Sequence, residues 1–144
     1  MNLVTLFGRL HPLVIHFPIA LMDVAAGMES LRRFWNPPGF GRFIVILLGI
    51  AAGGAFAAVA TGWVFAHEST RADQQVRLSW HRWLGVTTAI LNAIAFGVFL
   101  RYSDDTRPGP RWARLAIVWL AVIVLTVTAH LGALIVWGDD YFSA

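Results

Sequence analysis

Five histidines, at positions 11, 16, 67, 81 and 130, carry most of the chemistry this sequence can offer. His11 and His16 stand in GRLHPLVIHFPIALMD, residues 8–23, beside Pro12 and Pro18 and ahead of Asp23. His81 lies in WHRWLG and His130 in AHLGALIVWG. Imidazole nitrogens ligate haem iron, copper, zinc and non-haem iron, so histidines brought together would mark a bound haem or metal ion. The chain has no cysteine, which excludes disulfides, iron–sulfur clusters, thiolate metal sites and covalent haem attachment. No phosphate-binding glycine loop and no nucleophile–base motif is visible.

The elements that must position these histidines are membrane spans. Of the 144 residues 58% are hydrophobic and 13% charged, too apolar for an ordinary soluble domain. A spanning helix needs about 20 mostly apolar residues. Four stretches qualify, at about 10–31, 43–65, 80–100 and 115–137, within one domain covering 1–144. The expected fold is all-α, an integral membrane antiparallel four-helix bundle. Pro37-Pro38-Gly39 and Pro108-Gly109-Pro110 end helices between spans. The N-terminal run lacks a basic leader and is too long for a signal-peptide core, so it reads as a retained span.

Every cationic side chain other than histidine is an arginine. Arg32, Arg33, Arg42, Arg101, Arg107, Arg111 and Arg114 flank the first and third loops, against Arg9, Arg71, Arg77 and Arg82 on the other side. The positive-inside rule then puts loops one and three in the cytoplasm and both termini outside, in a bacterial inner membrane facing the periplasm. No basic groove interleaved with aromatics accompanies the arginines, so no nucleic-acid partner is expected. Trp35 and Trp112 read as the inner aromatic belt, and Trp63, Trp80, Trp83 and Trp137 as the outer one.

On this topology all five histidines fall at the outer side. His16 and His130 lie about 10 Å below the outer boundary, with His11, His67 and His81 near it. From His16, Asp23 returns to the same helical face; from His81, Thr88 and Asn92 do; from His130, Thr126 is one turn back. Intramembrane polar residues face the bundle interior, so the stripes are expected to converge there. Pro12 suits a first helical turn, which places the helix start near it, and Pro18 should kink the helix. In a straight helix His11 and His16 point about 140° apart, which argues against their chelating one ion. His67 reads as a polar side chain at the interface. Small residues recurring every fourth position in span two, Gly49, Gly53, Ala57 and Gly54, Ala58, Gly62, serve tight helix packing or make space for a flat cofactor.

The blocks HPLVIHFPIAL, WHRWLG and AHLGALIVWG together resemble the signature of a bacterial family of predicted four-helix membrane proteins of unknown function. The resemblance covers nearly the whole chain. Carried over by motif, it points to His11, His16, His81 and His130. One departure is Ala133, where a second glycine is expected after Gly132. Some relatives are fused to c-type cytochrome or Rieske domains, which implies redox work.

Histidines on facing helices are the usual ligands of b-type haem. In a bundle wound in order, spans one and three are diagonal. Geometry therefore favours His16 with His81, while depth favours His16 with His130. His11 is a second-site candidate, and one or two haems would be accommodated. Arg82, with Arg77 and Arg9, is placed to pair with haem propionates. Asp23 is either a protonatable group on a proton or quinone path or a carboxyl satisfied by a neighbour. The expected function is electron transfer between the quinone pool, or a membrane partner, and a periplasmic redox protein, rather than stand-alone catalysis. Two alternatives stand beside it. One is a cofactor-free accessory subunit of a membrane complex. The other is a binder or transporter in which His16, His81, His130 and His11 hold copper, zinc or non-haem iron. A homo-oligomer is compatible with each.

Overall fold

The structure, a computed structural model, describes residues 3–69 and 74–138, with the side chains of residues 67–69 outside the description. Its helices are α1 (Leu3–Arg9), α2 (His11–Val14), α3 (His16–Leu31), α4 (Phe40–Ser69), α5 (Gln75–Tyr102) and α6 (Pro108–Trp137). Four stretches are long and apolar enough to cross a membrane: 3–31, 40–66, 75–102 and 108–137. Each agrees with an expected span, extending the first and fourth by seven residues at the N-terminal end and the second and third by one to five residues at both ends.

The first span is α1, α2 and α3 in series. Its two joints have one cause. Pro12 has no N–H to give the Gly8 carbonyl, and Pro18 none for Val14. The hydrogen-bond ladder breaks at Leu10 and Ile15, yet both keep right-handed helical dihedrals, so the chain bends without reversing. The helix does not begin near Pro12 as expected, because α1 adds seven residues before it. Gly8 lets α1 approach α4 backbone to backbone. A Cβ there would lie 2.9 Å from the Phe65 nitrogen.

The spans pack in chain order, one on two, two on three and three on four, and α6 closes back on α3. Spans one and three are therefore diagonal. The apolar core fills the half of the bundle nearer loops one and three, around Met22, Ala25, Ile44, Leu48, Phe99, Val118 and Ala121. Large apolar side chains such as Ile46, Ile50, Phe56, Ile90, Ile94 and Ile123 point outward. In water such a surface would demand a partner; in a bilayer it faces lipid tails.

The loop-one and loop-three end is clamped by charge. Glu29, 3% exposed, accepts from Arg114 Nε at 2.8 Å and from Arg32 at 3.1 Å. Arg114 also donates to the Tyr102 and Asp105 carbonyls, and Arg32 to that of Ser103. These carbonyls include the C-terminal end of α5, where a helix lacks internal donors and favours cations. In the same loop Arg107 grips Asp105 and holds its carboxyl down at about 2.

Candidate functional site

At the opposite end the diagonal brings two histidines together. The rings of His11, on α2, and His81, on α5, have centroids 6.4 Å apart and stand at 82° to each other. Each ring is fixed by its Nδ1. His11 Nδ1–H donates to the Ala58 carbonyl at 3.0 Å, with Thr61 Oγ1 at 3.3 Å as a second acceptor. Thr61 can accept because its own hydroxyl proton goes to the carbonyls of α4. His81 Nδ1–H donates to the Thr128 carbonyl at 2.9 Å. With the Nδ1 proton so used, Nε2 of each neutral ring carries the lone pair, the tautomer a metal takes.

Glycines seat both rings. A Cβ on Gly62 would stand 2.7 Å from His11 Cε1, and one on Gly132 would stand 2.9 Å from His81 Cε1. The small residues of span two thus have a use at each level. Gly62 takes a histidine ring, Gly54 the Pro18 ring and Gly49 the Phe96 ring, while Gly53 meets nothing. They serve close packing within the chain.

Beneath His81 runs a file of polar side chains. Thr128 gives its hydroxyl proton to the Val124 carbonyl, so Thr88 donates to Thr128 Oγ1 at 3.2 Å. Asn92, fully buried, donates from Nδ2 to the Thr88 carbonyl, and its Oδ1 has no partner among the described residues. Arg82 lays its guanidinium over Trp63, 5.5 Å from the ring centroid, and Trp63 meets Trp83 edge to face at 6.0 Å. Positive charge therefore stands beside the histidine pair.

The stripe expected from His81 through Thr88 and Asn92 does turn inward. The stripes from His16 and His130 do not. His16, Asp23, Thr126 and His130 are all exposed. On α3 the buried face is set by Met22, Ala25, Ala26 and Glu29, and on α6 by Arg114, Val118, Ala121, Leu125 and Thr128. Small residues that let helices approach, together with the buried ion pair, chose those faces and turned the histidines out. His16 Nδ1–H bonds back to the Pro12 carbonyl at 2.6 Å, and its ring borders a shallow groove with Phe17, Ala20 and Leu21. The pairings His16 with His81 and His16 with His130 are therefore not formed within one chain. His11 replaces His16 as the partner of His81. The His67 side chain lies outside the described residues.

Sequence reasoning passed over Glu29, Thr61 and Thr128. Glu29 had a readable signal, since Arg32 follows at the i,i+3 spacing of a helical ion pair. The two threonines had none, because their part is to shape backbone that accepts from a ring on another helix.

No curated protein and no solved structure matches the chain. A family model does, over residues 9–141, and its span takes in both histidines of the pair, both glycine seats and the polar file beneath them. The chain accordingly belongs to the family of predicted membrane proteins of unknown function DUF2231.

Proposed function

We propose that the protein is a b-type haem protein that passes electrons between the quinone pool, or a membrane partner, and a redox protein on the side of its histidine pair. One observation carries this reading: two diagonal imidazoles, each pinned through Nδ1–H to a backbone carbonyl, each with Nε2 uncommitted. The ring centroids stand 6.4 Å apart, close enough for both imidazoles to reach one iron through metal–nitrogen bonds of about 2 Å. The size of the donor set argues the same way. Haem iron receives four nitrogens from its macrocycle and needs only two from protein, whereas a bare ion needs three or four ligands. Among the described residues no group of three or more His, Asp or Glu side chains is placed to hold an ion.

His11 and His81 would hold the iron, and Arg82 would be the counter-charge for a propionate. Bound there, haem supplies reversible one-electron chemistry. The chain's own contribution is to fix both tautomers, seat both rings on glycine and keep the site at one end of the bundle. The arginine bias supports a periplasmic setting for that end, in a bacterial inner membrane.

The test is an optical spectrum of protein purified after haem-replete expression, oxidised and then reduced. A Soret band with a sharp reduced α-band is expected, lost in His11→Ala and in His81→Ala and kept in His16→Ala. A spectrum without a Soret band overturns the reading, and metal analysis of that sample then separates a non-haem ion from a cofactor-free subunit.

A further inference from the structure

Two polar stripes lie on the outer surface where α3 meets α6. Counted at 100° per residue, His16, Ala20, Asp23, Gly27 and Ser30 share one face of α3, each within about 40° of His16. Trp119, Thr126 and His130 share one face of α6 in the same way. Trp119 Nε1–H donates to Ser30 Oγ at 3.1 Å, so the two faces meet there. That bond and the Glu29–Arg114 pair set the register of the two antiparallel helices. Counting outward from each contact puts His16 and His130 within about 5 Å of the same height.

Three ionisable side chains therefore face outward within the spans. Hydrocarbon is a poor neighbour for them, and such residues normally meet protein. The surface fits close approach, because Ala20 and Gly27 interrupt the stripe with small side chains and a Cβ on Gly27 would meet nothing. We propose that this face pairs with a second copy of the chain, and that His16 and His130 of both copies make one four-imidazole site for a divalent transition-metal ion. A second copy is the occupant the chemistry selects. Each chain offers two imidazoles at one height, and a tetrahedral ion takes four ligands. Two copies inserted in the same orientation are related by an axis along the membrane normal, which puts equal heights opposite each other. His16 Nε2 is available for ligation, since Nδ1 is committed to Pro12. Asp23 meets its own copy, where one protonated carboxyl can donate to the other. The site uses neither His11 nor His81, so it stands or falls independently of haem.

The absence of cysteine makes the test clean. Single-cysteine variants Ala20→Cys and Gly27→Cys are reconstituted in lipid vesicles and treated with a short thiol cross-linker. Cross-linked dimer is expected from both, and not from Ile50→Cys or Ile94→Cys, which are exposed on α4 and α5. Zinc added to the cysteine-free protein should bind at one ion per two chains and tighten the dimer by about tenfold or more. His16→Ala and His130→Ala should each abolish that tightening while leaving the helical signal unchanged. Equal cross-linking at Ile50 or Ile94, one zinc per chain, or an unchanged dimer fraction with zinc would each overturn the proposal.

Discussion

The two ends of the bundle solve the same physical problem in opposite ways. At the arginine end the buried charges are paired. Glu29 accepts from two arginines, and those arginines also donate to carbonyls of α5 and the loop after it. At the histidine end each ring has one nitrogen tied down and one left over, and the file beneath ends in an amide oxygen with no donor among the described residues. A closed network adds rigidity and offers nothing to a ligand. A half-used network keeps lone pairs in reserve at a cost in stability, which is what a binding site needs. Charge at one end is therefore architecture, and uncommitted nitrogen at the other is the candidate chemistry.

The comparison breaks first at Glu29. Its removal leaves Arg114, 3% exposed, and Arg32 buried without a counter-charge. Breaking a buried pair in this way costs about 3–5 kcal/mol. Glu29→Ala should therefore lower the thermal midpoint in detergent more than any single change at the histidine end. Glu29→Gln, which keeps the shape and a hydrogen bond, should recover part of the loss. A midpoint for Glu29→Ala close to that of the native chain would remove the arginine end's claim to be the clamp.

An intermediate effect is expected at the ring seats. Gly62→Ala drives a methyl to 2.7 Å from His11 Cε1, and Gly132→Ala does the same to His81 at 2.9 Å. Each ring must leave its carbonyl acceptor or push the helix aside. Overpacking of this kind costs about 1–3 kcal/mol. Gly53→Ala, where a Cβ meets nothing, is the control and should unfold with the native chain. Thermal unfolding of the three variants side by side checks the ranking. Equal stability of Gly62→Ala and Gly53→Ala would show that the His11 ring has no fixed seat.

How far the sequence could have led to this contrast differs between its parts. Four spans, their order and the diagonal of spans one and three were legible, because apolar length and loop breakers depend on local composition alone. His81 with Thr88 and Asn92 beneath it was legible too, since Ala95, a buried small residue of α5, shares the face of Thr88 and Asn92. His16, Asp23 and His130 misled for the opposite reason. Ala25 and Ala26 on α3 and Ala121 on α6 let helices approach more closely than the polar face could, and tight packing decided the rotation. His11 went to second place because its height in the bundle depends on α1. Only with the seven residues of helix Leu3–Arg9 ahead of it does it become an interior position. The tautomers of His11 and His81 were out of reach, as both acceptors are backbone carbonyls of other helices, 47 residues away in sequence.

The smallest effect probes the foot of the polar file. Asn92 is fully buried, and its one hydrogen bond goes to the Thr88 carbonyl, four residues earlier on its own helix. That carbonyl also has its place in the helix ladder, so it keeps a donor when the amide is gone. Asn92 Oδ1 has no donor among the described residues, and a buried unpaired acceptor costs about 1–3 kcal/mol. Asn92→Leu removes the orphan and fills a similar volume with apolar atoms. The variant should be as stable as the native chain, or more stable by about 1 kcal/mol. This is opposite in sign to Glu29→Ala, although both remove a buried polar group. The sign follows from bookkeeping of partners: Glu29 leaves two cations stranded, and Asn92 leaves nothing. Thermal unfolding of Asn92→Leu in the same detergent decides it. A loss above about 2 kcal/mol would mean that Oδ1 holds a bound water, which would extend the hydrogen-bonded file below His81 into the middle of the membrane.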